Sequence, residues 1–157
     1  MDDKNSDIQG YAVVALGKIG PQAARAVPLI IKKLKHKEDG RSLAAIALGD
    51  IGPKAVSAIP ALIDRLYNDK NRGVRFCAAI ALGKIHSKAK ISVPALIKAL
   101  DDPDDIVRKC AAKALGNFGS AAKQSMPKLL QISKNDRNFL ARRAAIISIK
   151  KIKKKSK

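Results

Sequence analysis

The sequence repeats itself, and the period of the repeat restricts the fold more than any single residue does. Ala15-Leu16-Gly17-Lys18-Ile19-Gly20 returns as Ala47-Leu48-Gly49-Asp50-Ile51-Gly52, as Ala81-Leu82-Gly83-Lys84-Ile85-His86 and as Ala114-Leu115-Gly116-Asn117-Phe118-Gly119. Ser148-Ile149-Lys150-Lys151-Ile152-Lys153 is a degenerate fifth copy, and the copies start 32, 34, 33 and 34 residues apart. A second marker keeps step: Val27-Pro28, Ile59-Pro60, Val93-Pro94 and Met126-Pro127 are separated by 32, 34 and 33 residues. Within one period, Val74, Ala78, Ala81, Leu82 and Ile85 share one face of a helix, and Val93, Leu96, Ile97 and Leu100 share one face of a second. The proline belongs in the first turn of that second helix, where its missing N–H costs nothing. The glycine after Leu82 suits a left-handed helix end or a tight helix crossing.

A helix pair of this size buries its apolar faces only by stacking on neighbours. The expected fold is therefore all-α: a solenoid, or superhelix, of stacked antiparallel helix pairs forming one domain over residues 1–157. Units are expected at about 6–37, 38–70, 71–102 and 103–135, then a lone capping helix at 136–153 and a basic tail at 150–157, nine helices in all. Composition agrees. Hydrophobic residues make up 46% and aromatic residues 3%, so the core is aliphatic and rich in alanine, which suits close-packed helices. Cys77 and Cys110 fall at the same place in successive units. Stacked helices lie about 8–10 Å apart, beyond disulfide reach, so both are read as inert packing thiols. No run of about 18 apolar residues is recognised, and the expectation is a cytoplasmic, soluble protein.

Arg41, Arg75, Arg108 and Arg142 each lie eight residues before the glycine position. An aspartate precedes three of them by six residues, as Asp69, Asp102 and Asp136. With the Val-Arg, Ala-Ala, Ala-Leu-Gly and Val-Pro elements, these residues resemble HEAT repeats, in the short HEAT-like form named after phycobilisome lyases. The resemblance covers about residues 6–153. It implies a right-handed α-solenoid that binds partners, often on a concave face lined by the second helices. The chain departs from the pattern at Gln9 for the arginine, Lys35 for the aspartate, and Lys150 for the glycine. The Asp69, Arg75, Asp102, Arg108, Asp136 and Arg142 set is read as a structural ladder at the junctions between units, each guanidinium gripping a carboxylate and turn carbonyls.

Little in the sequence points to catalysis. There is no Gly-x-Ser-x-Gly, no Gly-Lys-Ser/Thr loop and no Gly-x-Gly-x-x-Gly. His36 and His86 are the only histidines and Glu38 the only glutamate, and no spacing among them makes a metal site. The expectation is a non-enzyme with no cofactor and no metal.

Charge carries the functional signal. Lys plus Arg number 32 against 13 Asp plus Glu, a net charge of +19, which attracts an acidic partner. On a helical wheel of the second helices, Arg25, Leu29, Lys32, Lys33, Ala61, Arg65, Ala95, Lys98 and Lys128 lie opposite the buried set, with Asp64 as one acidic interruption. They are expected to form a concave basic groove around an apolar strip, suited to an acidic protein or peptide. The plainer reading is that these lysines are only solvated. Nucleic-acid binding through phosphate contacts by the groove and the lysine-rich C-terminus is the alternative function. Scarce aromatics, with no Trp, weigh against base stacking. The six lysines in Lys150–Lys157 read either as a basic arm or as a solvated cap. Finally, Val14, Ile46, Ile80, Lys113 and Ile147, three residues before each glycine position, form either an exposed apolar patch or packing between first helices.

Overall fold

The computed structural model describes residues 3–36 and 40–154, with side chains from Ile8 onward. Among the described residues there are nine α-helices and no strand: α1 (Asp3–Ile19), α2 (Val27–Lys35), α3 (Arg41–Ile51), α4 (Ile59–Asn68), α5 (Arg72–Ile85), α6 (Ala89–Lys98), α7 (Asp105–Asn117), α8 (Met126–Asn135) and α9 (Phe139–Lys153). The odd-numbered helices form one row and the even-numbered helices a second. Each even helix packs chiefly on the odd helix that follows it, α2 on α3 through to α8 on α9. The close pairs are therefore offset by one helix from the sequence expectation. α9 packs on both α7 and α8.

The odd row is the tight one. A Cβ on Gly17, Gly49 or Gly83 would lie 2.8–3.0 Å from the Cα of Ala47, Ala81 or Ala114, and one on Gly116 would lie 3.1 Å from that of Ser148. Tight crossing, not a left-handed turn, is thus the use of the repeated glycine. The left-handed residue comes three positions later, at Gly20, Gly52 and Gly119, with φ of 72°, 71° and 52°. His86 fills the same slot with φ 34°, a conformation strained for a residue with a Cβ. In the other three units a seven-residue 3₁₀ segment leads from the odd helix to the even one. The third unit has no such segment, so α6 starts early at Ala89 and Pro94 falls inside it rather than in its first turn. Even helices touch one another only sparsely. Contact between units therefore runs chiefly through the odd row.

Within Arg41–Asn68 an 18-residue window reaches a mean hydropathy of 1.4, apolar enough to cross a membrane by length and composition. Here the stretch is α3 and α4, broken at Gly52, with Ala44, Leu48, Ile51, Ile59 and Leu62 fully buried in the core.

The arginine ladder runs between units. Arg41 grips Asp69 through Nε at 2.8 Å, Arg75 grips Asp102 at 2.8 and 3.0 Å, and Arg108 grips Asp136 at 2.7 and 2.9 Å. The aspartate six residues before an arginine is not its carboxylate partner. Arg75 Nη1 instead donates to the main-chain carbonyl of Asp69 at 3.1 Å, as Arg108 does to that of Asp102 at 2.9 Å and Arg142 to that of Asp136 at 2.7 Å. Each carboxylate also orders a turn: Asp69, Asp102 and Asp136 accept the N–H of Asn71, Asp104 and Asn138, whose side chains in turn cap α5, α7 and α9. Arg142 is the terminal rung and grips no carboxylate among the described residues.

Gly83→Ala is expected to cost about 1–3 kcal/mol by overpacking. Gly10→Ala, whose Cβ would make ordinary contact at 3.5 Å, should gain roughly 0.5–1 kcal/mol of helix propensity. Urea unfolding of both variants checks the contrast. Arg108→Ala is expected to lose about 1–3 kcal/mol, and Arg142→Ala clearly less. The hydrogen bond from Arg108 holds the Asp136 carboxyl below its usual range. A depressed folded-state value stabilises fully above about pH 4 and is lost as pH falls through the folded value. Unfolding curves from about pH 5 to 2 should therefore show a smaller acid loss in Arg108→Ala than in the parent.

Candidate functional site

The expected groove on the even helices is not continuous. Ala61 and Ala95 are 8% and 3% exposed, consumed by the interior, so the small-residue strip offers no open surface. Arg65 pairs with Asp64, and its Nη1 lies 3.5 Å from Asp69. Lys128 meets Asp101 at 2.5 Å, and Lys98 sits 4.4 Å above the Tyr67 ring. Arg25 is exposed but stands apart from the cavity described next. Acidic side chains from the helix itself and from the junction turns neutralise two of the cations.

Leu29, Lys32 and Lys33 do come together. With Gln9, Ala12, Val13 and Leu16 of α1 they line a cavity of about 470 Å³ between α1 and α2. Leu29 is 66% exposed there, and Lys33 Nζ donates to Gln9 Oε1 at 3.3 Å. No carboxylate from the described residues lines this cavity.

A larger trough, about 550 Å³, lies on the odd row between α7 and α9, with α5 at its margin. Cys110, Ala114, Ala144 and Ser148 supply small floor residues, and Ile80, Leu140 and Ile147 supply apolar walls. Lys84, Lys109, Lys113, Arg143 and Lys151 rim it, and no acidic residue lines it. Lys84 is engaged by Asp50 of the previous unit at 2.5 Å; the other four make no ion pair among the described residues. Helical spacing explains the ridge: positions seven and three before each glycine position and one after it form one line along the helix. The isoleucines three before the glycine are the sequence sign of this face. Ile46, Ile80 and Ile147 are 42%, 36% and 46% exposed, so the row is surface and not inter-helix packing.

The repeat match now decides the family. HEAT repeats match residues 28–93 and 87–150, and the phycobilisome-lyase HEAT-like repeat matches residues 8–36. The chain belongs to the HEAT repeat family. Among solved structures, the CpcE–CpcF complex of phycocyanin lyase from Nostoc sp. PCC7120 is similar at a TM-score of 0.73 and 21% identity, over 88% of this chain and 86% of that one. Two engineered proteins are similar at TM-scores of 0.73 and 0.72, with 25% and 22% identity, covering 94% and 92% of this chain and 74% and 73% of theirs. No curated protein matches. These likenesses establish the α-solenoid of HEAT repeats.

The C-terminal lysines divide between helix and tail. Lys150, Lys151 and Lys153 are exposed on the last turns of α9 while Ile149 and Ile152 anchor it; Lys155, Ser156 and Lys157 lie outside the described residues. Both cysteines are free and buried. Burial pushes the Cys77 thiol up to about 11 and raises that of Cys110 as well. Thiols protonated at neutral pH are poor nucleophiles. An aromatic disulfide reagent at pH 8 is expected to label Cys77 only on unfolding. A fast burst from Cys77 in the native protein would contradict its burial.

Proposed function

We propose that this HEAT repeat chain is a non-catalytic scaffold that binds an acidic protein or peptide. One observation carries the reading: the two hollows described above, at α1–α2 and at α7–α9, are lined by lysine or arginine and by no carboxylate from the described residues. Cations bring a polyanion to the surface, and the apolar linings then reward side chains that phosphate backbones lack. Of the expected partner-binding residues, Leu29, Lys32 and Lys33 keep that role, with a carboxylate at the lysines and an apolar side chain against Leu29. The free thiols suit a reducing, cytoplasmic setting.

Nucleic acid remains the alternative on the strength of the +19 charge. No Phe, Tyr or Trp lines either hollow, and the His36 imidazole beside the α1–α2 hollow is the one ring on which a base could stack. Calorimetry against a glutamate- and leucine-containing peptide and against a single-stranded DNA of equal charge separates the two. Raising salt from about 50 to 200 mM should weaken the DNA by orders of magnitude and the peptide far less. Leu29→Asp combined with Lys32→Glu should reduce peptide affinity about tenfold without altering the melting temperature. DNA binding that is tighter than peptide binding at about 150 mM salt would overturn the reading.

A further inference from the structure

The α7–α9 trough has a shape as well as a charge. From the occupant's shape, and resting on the acidic-partner reading above, we infer that it docks an amphipathic helix whose apolar stripe is flanked on both sides by carboxylates. The trough runs between two neighbouring helices of the odd row. From Leu140 to Lys151 it extends about 17 Å at the rise of an α-helix, which is three turns. Its floor is made of the small residues Cys110, Ala114, Ala144 and Ser148, which let a third helix settle between two others in the ridge-and-groove manner.

The rims fix the chemistry of the occupant. Lys109 and Lys113 stand four residues apart on one side, and Arg143 and Lys151 stand eight apart on the other with Ile147 between them. Side chains at four-residue intervals on a helix lie about 5–6 Å apart, so carboxylates at the same interval on a docked helix meet these cations in register. Ile80, Leu140 and Ile147 give its apolar stripe a surface to cover. A second copy of this chain is a poor occupant: its last twenty residues carry eight basic and no acidic side chains, and like charges across a docking surface repel.

Three synthetic 14-residue peptides of equal charge and length test this against the full chain. The first has leucines at helical spacing with glutamates on both flanks, the second shuffles the same residues, and the third carries two central prolines. The first should gain helical circular dichroism on binding and bind at least about tenfold tighter than the other two. Lys113→Glu with Arg143→Glu, both at exposed positions, should weaken it about tenfold. A version of the peptide with lysine flanks should bind that charge-reversed protein better than it binds the parent. Equal binding of the shuffled or proline peptide would overturn the docked helix while leaving the acidic-partner reading standing. An unchanged affinity in the charge-reversed protein would overturn the trough as the site. Failure of every acidic peptide, with the DNA bound, would overturn both.

Discussion

Everything in this molecule depends on how closely the odd-numbered helices approach. Gly17, Gly49, Gly83 and Gly116 each lie against the backbone of the next helix at Ala47, Ala81, Ala114 or Ser148, with no room for a methyl group. Such contacts replace side-chain volume with backbone packing, so a chain with three Phe and no Trp can still build a dense core. The row drawn together on one side leaves the even helices in sparser contact on the other, and the ridge of Ile46, Ile80 and Ile147 stays exposed on the odd row.

The ladder fixes the register that the glycines permit. The guanidiniums of Arg75 and Arg108 each span two junctions at once, donating to main-chain carbonyls of their own entry turn and to the carboxylate of the next. Asp69 and Asp136 are buried, at 5% and 9% exposure, so each would be costly without its arginine. Those same carboxylates organise the turn that caps the following helix. Local turn, helix start and contact between units are thus held by one repeated set of bonds, which makes a stack of near-identical units add up to a single cooperative body.

Periodicity made the architecture legible, because two markers in phase leave no other way to bury both helix faces. The glycine, the even-helix prolines at 28, 60 and 127 and the ladder arginines could all be placed from spacing alone. Partner assignment could not. The six-residue Asp–Arg spacing reports a bond to the aspartate's carbonyl, whereas the carboxylate bond spans 27 or 28 residues and appears only on stacking. The surface was half legible for the same reason. A helical wheel shows which side of one helix is polar, but Ala61 and Ala95 are covered in the stack and Lys128 finds Asp101 on another element. The odd-row isoleucines carried the opposite message, since exposure there is set by the close glycine contacts that turn this ridge outward from the core.

Native-state hydrogen exchange tests the central claim most directly. If the glycine contacts of the odd row hold the stack, the slowest amides should lie in α3, α5 and α7 around Gly49, Gly83 and Ala114, and should exchange only by global unfolding. The even helices and both ends of the chain should open sooner. Slowest exchange in α2, α4, α6 and α8, with the odd helices opening independently, would contradict the account.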